Sequence, residues 1–270
     1  MSWTRRNLFR VGIGCIVSGL MVDRFYLQRK FHTLSSLTDI NVVVKRIAPS
    51  TVTVTSLDRK KILGAGVVLQ GNHNQFYILT AAHVIENYSN ETGDLEFRVR
   101  PYNGSDFKAV KNLKARLIRI IDKKTHFIYF STDNKSDLAL LEVIEPTAEL
   151  RKLIQPVMFY DPTAAELEPG DRVVVVGAPF GSYDNVTVGH ISHIDRKPPG
   201  ETSVEKKMTT LGVDAPINPG NSGGGVFNME GKLIGLVSSG INLSDGVNFV
   251  VPVRTIQSMI HKWAVDIDPS

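Results

Sequence analysis

Gly220-Asn221-Ser222-Gly223-Gly224 is the stretch that decides the fold, because it sets one serine among glycines. Clustered glycines cost conformational entropy and add no packing, so they indicate a backbone that turns tightly and directs N–H groups into a cavity. Amides around such a serine are typical of a site that stabilises an oxyanion. We predict that Ser222 is a nucleophile and that the Gly220 and Ser222 amides form its oxyanion hole.

Two earlier strings supply the other groups that a serine nucleophile needs. Thr80-Ala81-Ala82-His83-Val84 carries an imidazole, and Ser136-Asp137-Leu138-Ala139-Leu140-Leu141 carries a carboxylate just before an apolar run. A serine hydroxyl is a poor nucleophile until an imidazole takes its proton and a carboxylate holds that imidazole in the correct tautomer. We therefore predict a catalytic triad of His83, Asp137 and Ser222 that hydrolyses peptide bonds.

The order of these groups and the strand pattern predict the fold. His before Asp before Ser is the order found in chymotrypsin-like double β-barrels, whereas subtilisins and α/β-hydrolases order the groups differently. Short apolar or alternating runs separated by turn residues are typical of strands. The clearest are Thr51–Thr55, Ala65–Leu69, Phe76–Thr80, Arg116–Ile121, Leu138–Val143, Val173–Gly177, Val186–Val188, Gly225–Phe227, Lys232–Val237 and Val247–Val253.

We predict an all-β, chymotrypsin/trypsin-like double β-barrel within a protease domain at 32–270. The first barrel is expected at about 48–145 and the second at about 160–253, with the site between them. A short helix begins near Ser36 and ends near Ile47, because Ala48-Pro49 disfavours its continuation. A second helix at about 255–263 closes the chain.

Charge and cysteine content exclude several classes of function. Residues 1–46 hold eight Lys and Arg against two Asp, and the rest of the chain holds 23 Lys and Arg against 25 Asp and Glu. The excess positive charge belongs to the N-terminal arm, so nucleic acid is not an expected partner of the body. The one cysteine, Cys15, lies in that arm, so the body has no disulfide, thiol nucleophile or cysteine-ligated metal.

Residues 1–31 are predicted to be an export signal or membrane anchor with a basic linker. Basic residues at 5, 6 and 10 precede an apolar run from Val11 to Val22, which has the form of an export signal and is short for a bilayer span. The paired arginines are similar to a twin-arginine signal, and a generic signal anchor is the alternative. We expect an exported, periplasmic or extracytoplasmic protein, with residues 8–22 as a candidate membrane tether.

Several segments resemble the HtrA/Deg serine proteases over about residues 37–260. The likeness is strongest at the nucleophile segment, Asp214–Gly224, and continues in four further motifs. These are Pro179-Phe180-Gly181, Gly189-His190-Ile191-Ser192, Gly231-Lys232-Leu233-Ile234-Gly235 and Asn248-Phe249-Val250-Val251-Pro252.

The resemblance implies a chymotrypsin-like protease domain that cuts unfolded or damaged polypeptides outside the cytoplasm, without a cofactor. It also implies that homo-oligomers, trimers among them, are possible assemblies. Members of the family usually carry PDZ domains after the protease, whereas this sequence ends at Ser270 without one. We therefore expect a protease domain without PDZ-controlled allostery.

Two positions refine the expected specificity and activation. Asn221 stands where trypsin-type zymogens have an aspartate that pairs with a newly freed N-terminus, so activation by that ion pair is not expected. Pro216 stands where trypsins place the acidic residue that binds an Arg or Lys side chain of the substrate. Leu236, Val237, Ser238 and Ser239 are predicted to form the pocket wall and to pair with substrate as an added strand. Such an uncharged pocket favours small or medium apolar side chains.

Motifs for metals and nucleotides are incomplete. His190 and His193 have no third ligand at metal spacing, and Gly64-Ala65-Gly66 has no third glycine at dinucleotide spacing. Gly231-Lys232 lacks the leading glycine and the Ser or Thr of a phosphate loop. We expect no metal and no nucleotide.

Other functions stay open at this point. A binding or chaperone-like scaffold would keep the triad residues in an inactive arrangement, and a dedicated processing protease would act on one partner substrate. The segment between Asp122 and Ser136 is longer than expected and carries aromatic residues. A regulatory or oligomer-forming loop and a plain surface hairpin are its two interpretations.

Overall fold

The computed structural model describes residues 39–55, 62–86, 94–99, 111–121, 128–146, 148–161, 163, 166–177, 185–194, 210–238, 248–265 and 267. The N-terminal segment at 1–31, the start of the first helix, Pro179-Phe180-Gly181 and Ser239 lie outside these residues. None of the described helices is long and apolar enough to span a bilayer.

In the described ranges, four helices flank and connect the strands. Helix α1 is amphipathic, since Val43 and Ile47, one turn apart, are both buried, and a 3₁₀ turn at Ala48–Ser50 ends it where the sequence predicts. The helices are α1 (Ile40–Ile47), α2 (Ala82–Ile85), α3 (Ala148–Leu153) and α4 (Val253–Lys262).

The strands of the first half are β1 (Thr51–Thr55), β2 (Ile62–Gln70), β3 (Phe76–Thr80), β4 (Asp94–Val99), β5 (Lys111–Leu117), β6 (Arg119–Ile121), β7 (Ile128–Phe130), β8 (Thr132–Asp133) and β9 (Leu138–Val143). Six of them pair in the order β3-β2-β1-β4-β5-β9, and β3 also pairs with β9. All these pairings are antiparallel, so the six strands close into a barrel. Strand β8 extends the sheet at β9, and β6 and β7 form a separate hairpin.

The second half contains β10 (Met158–Phe159), β11 (Arg172–Gly177), β12 (Asn185–Ile194), β13 (Leu211–Val213), β14 (Gly225–Phe227), β15 (Lys232–Val237) and β16 (Asn248–Pro252). The order is β15-β14-β11-β12-β13-β16, and pairing between β15 and β16 closes a second six-stranded ring. Strand β10 adds to β15 in parallel. The predicted all-β double barrel, with a short N-terminal helix and a C-terminal helix, is confirmed.

The apolar core explains why some strands are apolar on both faces. Alternate residues of β9 belong to different clusters: Leu138 and Leu140 pack with the second barrel, whereas Ala139 and Leu141 belong to the cluster of the first barrel. Both sets are fully buried. A strand covered on both faces reads as a continuous apolar run, as it does here. Among the described residues, the larger cluster therefore contains side chains of both barrels, and a smaller cluster lies within the first barrel.

Candidate active site

His83 is presented by a single helical turn that follows a buried strand. Strand β3 ends at Thr80, and α2 begins two residues later, with the Val84 amide donating to the Ala81 carbonyl at 3.2 Å. Ala82, Val84 and Ile85 are buried, whereas the His83 side chain is 36% exposed. Because three of the four residues of this turn anchor it to the core, the imidazole is directed outward.

Asp137 lies at the same end of the first barrel as His83. In the antiparallel β3–β9 pair Thr80 lies opposite Ala139, so the residues just after β3 and just before β9 are neighbours. Asp137 immediately precedes β9 and has φ of +52°, in the left-handed region. The following Leu138 is fully buried, so the strand is fixed directly beside the carboxylate.

The two side chains are joined by hydrogen bonds. His83 Nδ1 lies 2.9 Å from Asp137 Oδ1 and 2.9 Å from Oδ2. The His83 amide also donates to Oδ1 at 3.0 Å, and Ser238 Oγ donates to Oδ2 at 2.6 Å. Since an ionised carboxylate only accepts, Nδ1 carries the imidazole proton in this arrangement and Nε2 is an acceptor.

The electrostatics of Asp137 favour the charged form that this arrangement needs. Burial raises the pKa of the Asp137 carboxyl, but the hydrogen bonds from the His83 side chain, Ser238 and the His83 amide, with the His83 charge, outweigh it. The net effect is a pKa below the ordinary value of 3.8. Asp137 is therefore a carboxylate at neutral pH.

Ser222 lies in a turn that is tied to both barrels. Its carbonyl accepts a hydrogen bond from Ala65 of β2 at 2.8 Å. The next residue, Gly223, donates from its amide to Val237 of β15 at 2.8 Å. The segment that carries Ser222 is thus held between a strand of the first barrel and a strand of the second.

Gly64 and Gly223 allow this segment to approach the His83 turn closely. A Cβ at Gly64 would lie 2.7 Å from the Ser222 carbonyl oxygen and 2.8 Å from a methyl group of Val84, the residue after His83. A Cβ at Gly223 would contact Ala65, Thr80 and Ala81. The structure therefore brings Ser222 next to the elements that carry His83.

The segment that is predicted to form the oxyanion hole adopts a tight turn. The Asn221 amide donates to the Asn218 carbonyl at 3.0 Å, and Gly220 has φ of +101°. Pro219 and Gly220 hold the two central positions, where proline and glycine are favoured in a type II turn. This Pro-Gly pair was a readable turn signal that the sequence analysis did not use.

Asn221 is packed inside the molecule beneath this turn. It is 1% exposed, and a Cβ at Gly177 of β11 would contact its side chain. Among the described residues, its Oδ1 has no hydrogen-bond partner. A carboxylate at this position would be buried without a donor to compensate its charge.

The other residues predicted for the pocket lie in different environments. Pro216 is exposed, whereas Leu236 and Val237 of β15 are fully buried in the core. Ser238, predicted as pocket wall, is half-buried and has a contact that the sequence did not indicate, its hydrogen bond to Asp137. No local pattern could have found this contact, because residues 137 and 238 belong to different barrels.

His190 pairs with an acid next to the nucleophile segment. Its amide donates to Asp214 Oδ1 at 2.5 Å, and its Nδ1 lies 3.6 Å from Oδ2. Both side chains are about half exposed. Within the described ranges, no group of three or more His, Cys, Asp or Glu could hold a metal ion.

The chain is similar to known serine proteases over most of its length. The model of the trypsin-like peptidase domain matches residues 64–236, which include His83, Asp137 and Ser222. The chain belongs to the trypsin-like peptidase family. This trypsin-like peptidase is 31% identical to mouse "Serine protease HTRA3" over 226 residues, which cover 82% of this chain and 43% of the mouse protein.

A further relative and a solved structure are also serine endoproteases by name. "Probable periplasmic serine endoprotease DegP-like" from Pseudomonas fluorescens is 34% identical over 194 residues, covering 71% of this trypsin-like peptidase and 33% of that protein. The crystal structure of the serine endoprotease from Yersinia pestis matches with a TM-score of 0.58 and 26% identity, over 84% of this chain and 66% of that one. The resemblance to HtrA/Deg proteases is confirmed, and the chain spans under half of the length of these two curated relatives.

Proposed function

We propose that this chain is a serine endopeptidase in which Ser222 attacks the scissile carbonyl of a polypeptide. The observation that carries the proposal is the pairing of His83 with an ionised Asp137, which holds the proton on Nδ1 and leaves Nε2 as a base. Ser222 is fixed beside the His83 turn by the Ala65 bond. The His83–Asp137 pair has the geometry of a base with its orienting acid, and Ser222 lies close enough in the fold to be the hydroxyl that this base would serve.

The proposed reaction has two halves. In the first, Ser222 Oγ bonds to the carbonyl carbon while His83 Nε2 takes the hydroxyl proton, and the imidazolium then gives that proton to the leaving amine. In the second, water attacks the acyl-enzyme with His83 again as base, which releases the acid product and restores the serine. Asp137 stabilises the imidazolium in both halves without itself taking a proton.

The Gly220 and Ser222 amides are the proposed donors to the oxyanion. Among the described residues, neither amide donates a hydrogen bond to the protein, so both are available to a substrate oxygen. The positive φ of Gly220 and the Asn218–Asn221 hydrogen bond support a turn that is already formed. Removing one such donor typically lowers the rate about 10²- to 10³-fold.

The substrate and its location are also proposals. We expect unfolded or damaged polypeptides with a small or medium apolar residue before the cut, because Pro216 stands at the trypsin acid position and neighbouring β15 is apolar. The name of the Pseudomonas relative includes "periplasmic", which supports an extracytoplasmic location. Cleavage mapping on a denatured protein tests the specificity, and cuts mainly after Arg or Lys would contradict it.

The test of the activity is intact-mass detection of a fluorophosphonate adduct on the full chain, together with casein cleavage. We expect one adduct on the wild type, none on Ser222→Ala, and a loss of kcat on the order of 10⁶-fold in that variant. Ser258→Ala, which alters an exposed serine of α4, is the matched control and should keep the adduct and the rate. If Ser222→Ala cleaves casein at the wild-type rate, the assignment is wrong, and an unlabelled but folded wild type would favour the scaffold alternative.

A further inference from the structure

Asp137 adopts a backbone conformation that its neighbours must impose. Its φ of +52° is one that side-chain-bearing residues rarely adopt. The carboxylate reaches three donors at once, the His83 amide, His83 Nδ1 and Ser238 Oγ. Because the side chain is short, a change in this backbone angle would move the carboxylate away from all three.

Asp133 holds the residues on both sides of Asp137. Its backbone lies opposite Leu138, the residue after Asp137, in the β8–β9 pair. Its Oδ2 accepts the Ser136 amide at 2.8 Å and the Ser136 hydroxyl at 2.5 Å. One residue therefore fixes position 136 through its side chain and position 138 through strand pairing.

Burial makes this arrangement difficult to replace. Ser136 is 5% exposed and Leu138 is fully buried, so water has little access to the Ser136 amide and hydroxyl if the carboxylate is lost. Two unsatisfied donors in a buried turn favour a different loop conformation. The Asp133 side chain is itself only 22% exposed.

A lysine of the C-terminal helix lies near the other carboxylate oxygen of Asp133. Lys262 Nζ of α4 lies 3.9 Å from Oδ1, the oxygen that Ser136 does not use. The two oxygens are thus directed to different partners, one to the helix and one to the loop. Asn134 Nδ2 donates weakly to Glu86 Oε1 at 3.4 Å, which links the same loop to the residue after α2.

We propose that Asp133 is a positioning residue for Asp137, so that the orientation of the His83 imidazole depends on a carboxylate that does not contact it. This inference rests on the proposed function, in which Asp137 orients the base. Replacing Asp133 should disturb the His83–Asp137 pairing while the barrels remain folded, because the loop lies outside the ring of six strands.

Kinetics of the full chain on a peptide substrate are the first test. In Asp133→Ala we expect kcat to fall about 10- to 100-fold with KM nearly unchanged, because small misplacements of catalytic groups are costly and Asp133 does not touch substrate. Asp133→Asn should fall less, since its amide oxygen can still accept from Ser136. Asp161→Ala is the matched control, because Asp161 Oδ1 accepts the amide and hydroxyl of Thr163 at 2.8 and 2.7 Å, in a loop that holds no triad residue.

The second readout is the downfield proton resonance of His83 Nδ1–H, which reports the hydrogen bond to Asp137 directly. We expect it to move upfield or broaden in Asp133→Ala and to stay unchanged in Asp161→Ala. If Asp133→Ala fails to fold, Ser136→Ala removes only the hydroxyl bond, and should show the same changes to a smaller degree.

The outcomes separate the two proposals. Wild-type kcat and an unchanged resonance in folded Asp133→Ala and Ser136→Ala would overturn the role of Asp133. A wild type that is not labelled at Ser222 would overturn the proposed function, and the resonance comparison would still decide whether Asp133 positions Asp137.

Discussion

At the scale of single residues, Asp137 has the most demanding environment in the site. Its carboxylate accepts hydrogen bonds from the His83 amide, from His83 Nδ1 and from Ser238 Oγ, and its side chain is 16% exposed. These donors outweigh the effect of burial and lower its pKa. A neutral isostere would lose the charge and would present a donor to His83 Nδ1 in one of its two orientations.

Asp137→Asn should lower kcat about 10⁴-fold, because an amide at this position favours the wrong imidazole tautomer.

The lowered pKa of Asp137 also predicts how the stability of the protein depends on pH. The carboxylate's contribution is fully present above its ordinary pKa of 3.8 and is lost as pH falls through the lower folded-state value. The difference in unfolding free energy between wild type and Asp137→Asn should therefore shrink as pH falls below about 4.

Denaturant unfolding at a series of pH values measures this difference. Glu166→Gln, which alters an exposed carboxylate between β10 and β11, serves as control and should change little. A difference that grows as pH falls would contradict the assigned direction of the pKa shift. The pairing of Asp137 with His83 involves two residues that the sequence singles out, because each stands in a short string of distinctive chemistry, whereas the contact with Ser238 was not predictable from sequence.

At the scale of elements, strands with a regular pattern of apolar residues could be predicted from the sequence, whereas strands with an irregular pattern could not. Strands β3, β9, β14 and β15 have their predicted bounds. The single strand predicted at Arg116–Ile121 is wrong: β5 ends at Leu117 and β6 begins at Arg119. The Ile118 amide instead donates a hydrogen bond to Ser131 Oγ, and the Ile118 carbonyl accepts one from the Ser131 amide, both at 2.9 Å. Pairing with β7 thus redirects the chain out of the barrel.

Strands β4 and β13 were missed for different reasons. In β4 the apolar residues Leu95, Phe97 and Val99 alternate with charged ones, so the signal was present and was not used. Strand β13 is only Leu211-Gly212-Val213, and it becomes a strand through its partners β12 and β16. A three-residue segment with a central glycine has no period to read.

The glycines of the nucleophile turn predict a contrast between two substitutions. Gly223 has φ of +79°, and a Cβ there would contact the Ala65 carbonyl and Thr80, whereas Gly170 has φ of +97° with open space around it. Gly170→Ala should cost about 1–2 kcal/mol from backbone strain alone. Gly223→Ala should cost about 3 kcal/mol or more, because overpacking adds to that strain.

Thermal unfolding of both variants, with fluorophosphonate labelling, checks this prediction. Gly223→Ala should also label more slowly, since the turn that carries Ser222 must shift away from β2. Equal destabilisation of the two variants would show that close approach between the barrels does not contribute at Gly223.

At the scale of the whole molecule, the larger of the two apolar clusters contains side chains of both barrels. Val67, Leu79 and Leu140 of the first barrel belong to the same buried cluster as Val174 and Phe227 of the second. Separating the barrels would expose these side chains, and exposing each one would cost about 1.5–3 kcal/mol of hydrophobic stabilisation. We therefore expect the described body to unfold in one cooperative transition.

Calorimetry of the full chain tests this expectation through the ratio of calorimetric to van't Hoff enthalpy. A ratio near one, with coincident midpoints by fluorescence and circular dichroism, would confirm shared cooperativity. Two separated transitions would mean that one barrel holds its structure without the other, and that the shared core is a weaker link than its burial indicates.

The sequence by itself determined the fold class, the helices at both ends and the three residues of the proposed triad. Each is encoded locally, in the spacing of apolar residues or in a short string such as Gly220–Gly224, and local patterns can be read without knowing what lies across the core. Only the tertiary structure decided which atoms meet: Ser238 on Asp137, Ala65 on Ser222, and Asp133 on both sides of Asp137. The first two contacts join segments far apart in the chain, so their distances exist only once both rings have closed and packed together. The third is local in sequence, but it depends on the pairing of β8 with β9.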